Sequence, residues 1–131
     1  MGARRHHVAR LAAGFLAGAV LAAAPADSSA ATTKKSAVPN RFGAIAYHRA
    51  SQSWGVSYDT VRERDASLAA LQQCANRECE VVHKFKNGCA ALADGPKAWA
   101  ASSGATRDEA ETKALKRCGA GCKALAWGCT R

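Results

Sequence analysis

No apolar run in this chain is long enough to cross a bilayer: Leu11 to Ala24 falls short of the roughly 20 residues a transmembrane helix requires. A transmembrane anchor in the mature form is therefore not expected. No cysteine follows that run, which argues against a lipoprotein. Also missing are a phosphate loop, a dinucleotide fingerprint, a nucleophile elbow and a His-Glu-x-x-His pair, so no cofactor is implied. Any hydrolytic chemistry would have to draw on scattered residues. Acidic residues are scarce, 10 against 19 Lys and Arg, for a formal charge of +9.

What is present begins with processing. Arg4, Arg5 and Arg10 precede the apolar run, and Ala24-Pro25-Ala26 supplies small residues at cleavage spacing. Residues 1–26 read as a secretory signal peptide, with residue 30 as the alternative end. The chain is thus expected to be secreted, either extracellular or in the cell envelope. Losing three arginines leaves 16 basic and 10 acidic residues, a charge of +6. A domain of that charge can adhere to an anionic surface such as a wall polymer or lipid headgroup. No specific nucleic-acid contact is implied.

Export decides how the cysteines are read. Cys74, Cys79, Cys89, Cys118, Cys122 and Cys129 all follow the signal, and an even count in a short exported chain reads as disulfides rather than metal ligands. Cys74-x4-Cys79 and Cys118-x3-Cys122 approach zinc spacing, but an oxidising compartment consumes thiols and no histidine lies near the second pair.

Residues 27–41, rich in Ser, Thr, Lys, Ala and Pro, read as a disordered leader. Residues 42–131 read as a single duplicated α+β domain. Leu68 to Cys89 is echoed by Ala114 to Cys129: a helix-like segment ends on a cysteine, a short link carries a second, and an apolar run leads to a third. Phe42 to Tyr47 and Ser53 to Tyr58 predict a hairpin, with Trp54, Val56 and Tyr58 on one face. Asp59 or Thr60 caps the first helix, whose buried stripe is Leu68, Leu71 and Ala75. Cys79 to Lys86 reads as a strand with Val81, His83 and Phe85 on one face. Asn87-Gly88 reads as a tight type I′ turn. Cys89 to Ala93 and Ala98 to Ala101 follow as strands, Thr106 caps a second helix with Ala110, Ala114, Leu115 and Cys118 inward, and Cys122 to Cys129 closes the chain.

Each half is strand, strand, helix, strand, and the two should form one antiparallel sheet or open barrel with two helices, stapled by disulfides. Trp54 corresponds to Trp99, Leu71 to Leu115, Cys74 to Cys118 and Cys79 to Cys122. Six cysteines allow 15 connectivities. One symmetric solution pairs Cys74 with Cys79 and Cys118 with Cys122 and joins Cys89 to Cys129 across the axis. Another crosses Cys74 with Cys118 and Cys79 with Cys122.

The blocks Gly43-Ala44-Ile45-Ala46, Ser53 to Tyr58, the Ala-rich helix ending at Cys74, Asn87 to Ala93 and Ala105 to Glu111 together resemble the bacterial exported family called domain of unknown function 4189. The resemblance spans about Phe42 to Cys129. It implies a small secreted α+β domain and, for some members, a role toward a host or neighbour-cell protein, and it supplies no catalytic residue. Two departures stand out. Arg62 occupies the place of the expected Ser/Thr cap, as though two extra residues had moved the cap back to Asp59 or Thr60, and Ala100 stands where the first half has Gly55.

Candidate functional residues follow from this plan. His48 and His83 are the histidines beyond the signal; His48 is expected in solvent on a loop and His83 half-buried and hydrogen-bonded. Trp54 and Trp99 are first expected in the core. Their functional reading is a paired aromatic surface for a sugar ring or base, with His83, Lys84, Lys86 and Lys123 around it. Two functions result: a non-enzymatic extracellular binding or effector module, or a small cell-envelope hydrolase using His83 or His48 with a carboxylate.

Overall fold

A computed structural model describes Gly18 and residues 37–131. The expected signal peptide, apart from Gly18, and most of the expected leader lie outside the described residues. The elements are β1 (Phe42–His48), β2 (Ser53–Thr60), α1 (Glu63–Cys74), β3 (Glu80–Lys86), β4 (Cys89–Asp94), β5 (Trp99–Gly104), α2 (Arg107–Cys118) and β6 (Lys123–Cys129). They form two antiparallel three-stranded sheets, β2-β1-β3 and β5-β4-β6. The duplication holds residue by residue. Ile45 lies between Val56 and His83 in its ladders as Leu92 lies between Ala101 and Ala126, and each central strand has a register shift toward its third strand, at Ile45/Ala46 and at Leu92/Ala93.

Alternation along β1 and β4 builds the layers. Ile45 and Tyr47 from the first sheet meet Ala90, Leu92 and Ala126 from the second in a central core that also holds Val56 and Phe85. Ala44 and Ala46 turn outward to α1, and Ala91 and Ala93 to α2. The sheets therefore face each other with a helix on each outer side.

Small residues set the helix-to-sheet distance. The inner stripe of α1 is Ala66, Ala70 and Cys74, not Leu68, Leu71 and Ala75; Leu68 is exposed and Leu71 only partly buried. A leucine stripe would hold the helix too far out. A Cβ at Gly55 would run into the Ala70 carbonyl oxygen and lie 2.5 Å from the Cys74 nitrogen. Ser57 Oγ donates to the Ala66 carbonyl at 2.6 Å, and the Val56 N–H donates to Gln73 Oε1 at 2.8 Å. In α2, Ala110, Ala114 and Cys118 are buried, and Leu115 packs at the margin.

The start of α1 differs from expectation. Thr60 completes β2, its hydroxyl donating to the carbonyls of Phe42 and Arg62, so the cap falls on Arg62, whose side chain makes no capping bond. Asp59, at φ +57°, is the inserted residue: equivalent positions are offset by 45 at Ser57/Ser102 and by 44 at Arg62/Thr106. One residue is extra rather than two, absorbed as a bulge before the helix.

Two further expectations change. The register shift at Ile45/Ala46 sends Val81 to the α1 side and turns Val82 inward beside the core, so Val81 does not share a face with Phe85. Asn87-Gly88 links strands of different sheets rather than a hairpin, and only Asn87 has positive φ. Asn87 holds the end of the leader: its Oδ1 accepts from the Arg41 N–H and its Nδ2 donates to Asn40 Oδ1.

All six cysteines are paired, as Cys74–Cys79, Cys118–Cys122 and Cys89–Cys129. The first two lock each helix end to the next strand. The third does not join the halves, because Cys89 and Cys129 oppose each other in the β4–β6 ladder of one sheet. Its counterpart in the first sheet is the pair Phe42 and Lys86. On the chain-entropy account a local clip contributes about 2 kcal/mol and the long link about 4.

Candidate surface groove

Trp54 and Trp99 occupy equivalent places near the starts of β2 and β5, where the core-facing side of each sheet runs out. Trp54 stands opposite Tyr47 and Trp99 opposite Asp94. Neither is a core residue: they are 42% and 39% exposed. Trp99 meets Tyr47 edge to face, with ring centroids 5.7 Å apart. The two tryptophans thus flank Tyr47 and do not stack on one another.

Two depressions adjoin at Val82 and Trp99. One, about 560 Å³, is lined by Tyr47, His48, Arg49, Glu78, Glu80, Val82 and Trp99. The other, about 370 Å³, is lined by Val82, His83, Trp99, Ala100, Ala101 and Arg117. Together they form a groove between β3 and β5, each an outermost strand with a ladder on one side only. Glu78 and Glu80, with His48 and Arg49 beside them, mark one end and the Arg117 guanidinium the other.

Several buried polar atoms beneath the groove have no hydrogen-bond partner. Tyr47 is 3% exposed and its hydroxyl has no hydrogen-bond partner. Burial, with the nearby Asp94 carboxylate, pushes its pKa up to about 12. Arg49 Nε lies 3.6 Å from Asp94 Oδ1, an ion pair without a hydrogen bond, and Gln52 Nε2 donates to Asp94 Oδ2 at 3.3 Å. His83 is half-buried as expected, but its Nε2 is buried without a partner, and burial together with the Arg117 charge lowers its pKa.

His48 is not a free loop residue. It ends β1, its Nε2 lies 3.2 Å from Glu78 Oε2 and its Nδ1 2.7 Å from Ser51 Oγ. Ser51 Oγ also accepts from Asn76 Nδ2 at 2.9 Å and contacts Ser53 Oγ at 2.9 Å. The network fastens the β1–β2 loop to the α1–β3 loop.

The lysines are dispersed. Lys84 Nζ approaches Glu63 Oε1 at 3.8 Å, and Lys84 and Lys86 line a separate depression with Phe42 and Glu63. Lys123 stands opposite Asp94 at the start of β6. Of the residues expected to form one surface, only Trp99 and His83 line the groove. Sequence reasoning missed Trp127, 45% exposed on β6, with the Arg107 guanidinium 4.1 Å from its ring centroid. The available signal was its alignment with Lys84, a solvent position in the other repeat. Among the described residues no group of His, Cys, Asp and Glu is placed to hold a metal, and no helix is long and apolar enough to cross a membrane.

The fold defines a class: a duplicated, disulfide-bonded α+β domain of two facing three-stranded sheets, with an open depression at each unpaired seam. Residues 42–129 match the family described as domain of unknown function DUF4189, and the chain belongs to that family. It is also similar to the NMR structure of Rv1813c from Mycobacterium tuberculosis, with 25% identity and a TM-score of 0.57 over 95% of this chain and 99% of that one. No curated protein matches.

Proposed function

We propose that the mature chain is an exported, non-enzymatic module that works by binding a partner through its surface tryptophans. One observation carries this reading. The core takes in the rings of Tyr47 and Phe85 among otherwise small and mid-sized side chains, while Trp54, Trp99 and Trp127 all lie at the surface. A folding core would ordinarily take up such rings, since each buries a large apolar area. Exposed tryptophans dominate binding energy where proteins meet partners. The charge of +6 assists approach to an anionic surface and does not select a target.

The hydrolase alternative has no comparable support. His48 does lie between Ser51 Oγ and Glu78 Oε2, at 2.7 and 3.2 Å, but Ser51 Oγ also accepts from Asn76 Nδ2, and the Glu78 side chain is 75% exposed, where a carboxylate orients a histidine weakly.

The test compares the mature chain with the triple variant W54A/W99A/W127A on immobilised envelope and extracellular fractions at low and high salt. The wild type should be retained at high salt. The variant, shown folded by circular dichroism, should elute with the charge-held fraction. Identical elution of the two would sink the reading.

A further inference from the structure

The groove at Trp99 has features that select among ligand classes. Its walls are the unpaired edges of β3 and β5, and a strand edge offers alternating N–H and C=O groups to whatever lies along it. Edges are commonly blunted by side chains, as where Gln73 takes up the Val56 N–H on β2. Among the described residues no side chain makes such a bond to the backbone of β3 or β5. A sugar ring can stack on Trp99 and bond single backbone groups through its hydroxyls, but its hydroxyls do not follow the regular repeat of a strand edge. An extended polypeptide can match that row and also place side chains alternately on the floor and in solvent.

The floor has a polarity. Glu80 sits at one end, beside Arg49, which is paired with Asp94, and Glu78, which meets His48; Val82 and Trp99 lie in the middle, and Arg117 beyond His83 at the other. Glu80 and His83 are three residues apart on one strand, roughly 10 Å at the rise of a β-strand. A segment of about five residues spans that distance with side chains reaching both charged ends. Burial and the Arg117 charge lower the pKa of His83, so the positive charge at that end is carried by Arg117.

We infer that this groove is a strand-addition site for an extended peptide of a partner protein, with a basic residue toward Glu80, an apolar residue on Val82 and Trp99, and an acidic residue toward Arg117. This rests on the binding reading above and specifies the partner at one of its tryptophans. The charge order follows from complementarity along the groove, and the requirement for extended backbone follows from the two free edges.

The probe is the pentapeptide Ac-Lys-Val-Leu-Val-Glu-NH2, titrated to millimolar concentration into the full mature chain with backbone amide NMR as readout. Its comparators carry Glu at both ends, Lys at both ends, or N-methyl groups on alternate amides. Shifts should concentrate on β3 and β5, and the N-methylated peptide and the Trp99→Ala variant should each weaken binding at least tenfold. Peptides with like charges at both ends should bind several-fold more weakly. Unmoved β3 and β5 resonances, or equal binding of the N-methylated peptide, would overturn the inference. A β-linked glucosamine tetrasaccharide forms the second arm. If it moves Trp99 and the peptide does not, the peptide assignment falls while the tryptophan-surface reading stands; if Trp99→Ala leaves retention on the fractions above unchanged, Trp99 takes no part in either.

Discussion

The two halves share a backbone plan and differ on their outer strands. Where Lys84 of β3 faces Glu63 at the start of α1, Trp127 of β6 faces Arg107 at the start of α2. An ion pair in one copy is a cation–aromatic stack in the other, at matching positions of ladder and helix. The inner contacts changed far less: Ala44, Ala46, Ala66 and Ala70 in one half answer Ala91, Ala93, Ala110 and Ala114 in the other. A helix seated this close to a sheet tolerates only methyl-sized side chains between them, so the interior had little freedom to diverge. The third strands had freedom, and the grooves of the two seams differ accordingly. One is lined by Glu78, Glu80, Trp99 and Arg117, the other by Tyr58, Asp59, Trp127 and Arg131.

The largest expected effect breaks the interior likeness at its one exception. In the first half the closest approach of helix to strand lies at Gly55, beside Ala70 and Cys74, near the end of α1. In the second, Ala100 fills that place and the close approach moves to Gly104, where a Cβ would lie 2.8 Å from Glu109 Cγ and 2.9 Å from the Ala110 nitrogen, at the start of α2. Gly55→Ala should cost about 3 kcal/mol, since backbone must move. Ala100→Gly should cost about 1 kcal/mol or less. Chemical denaturation of both variants decides it; equal losses would mean that the two helices sit alike despite the difference.

A smaller effect comes from the point where the halves meet across the core. Tyr47 and Asp94 hold equivalent places, each the partner of a tryptophan in its ladder, yet one is a buried phenol and the other a carboxylate in its field. The folded pKa of Tyr47 is raised from 10.0 to about 12, so the protonated phenol is favoured in the fold. Its contribution is whole below pH 10 and is lost as pH climbs from 10 to 12, roughly 2.5 kcal/mol in all. Tyr47→Phe should remove that part of the alkaline decline without loss at pH 7, because the hydroxyl has no partner there. An unchanged alkaline slope in the variant would rule out Tyr47 as its source.

Much of this was legible in the residues. The repeat, the helix ends at cysteines and the Thr106 cap are local patterns, and local patterns survive folding. The register shifts at Ile45/Ala46 and Leu92/Ala93 were not legible, because nothing in Val81-Val82 says which valine is the extra one. That single shift decides that Val82, and not Val81, meets Trp99 in the groove. The tryptophans misled for another reason. Alternation correctly puts Trp54 and Trp99 on the inner faces, but exposure also depends on how far along the strand the opposing sheet extends, and both stand near its end.

The smallest effect sharpens the comparison at the helix starts. Arg62 and Thr106 have nearly the same backbone, φ −129° and ψ 141° against φ −125° and ψ 163°, and each precedes a helix of 12 residues. Thr106 Oγ1 accepts from the Glu109 N–H, and Glu109 Oε2 accepts in turn from the Ala105 N–H, whereas Arg62 has no acceptor to offer. Lys113 and the Ala105 N–H hold the Glu109 carboxyl below its ordinary pKa, consistent with a carboxylate engaged on both sides. Because the backbone is already in place, Arg62→Thr should stabilise the fold by about 1 kcal/mol, and Thr106→Ala should cost about as much. For a domain of this size either change moves the melting temperature by about 4–8 °C. The double variant should melt close to wild type, since the two caps start helices packed on different sheets and share no partner. A gain at position 62 much below the loss at 106 would show that the Asp59 bulge had displaced the first turn of α1 from the geometry a threonine needs.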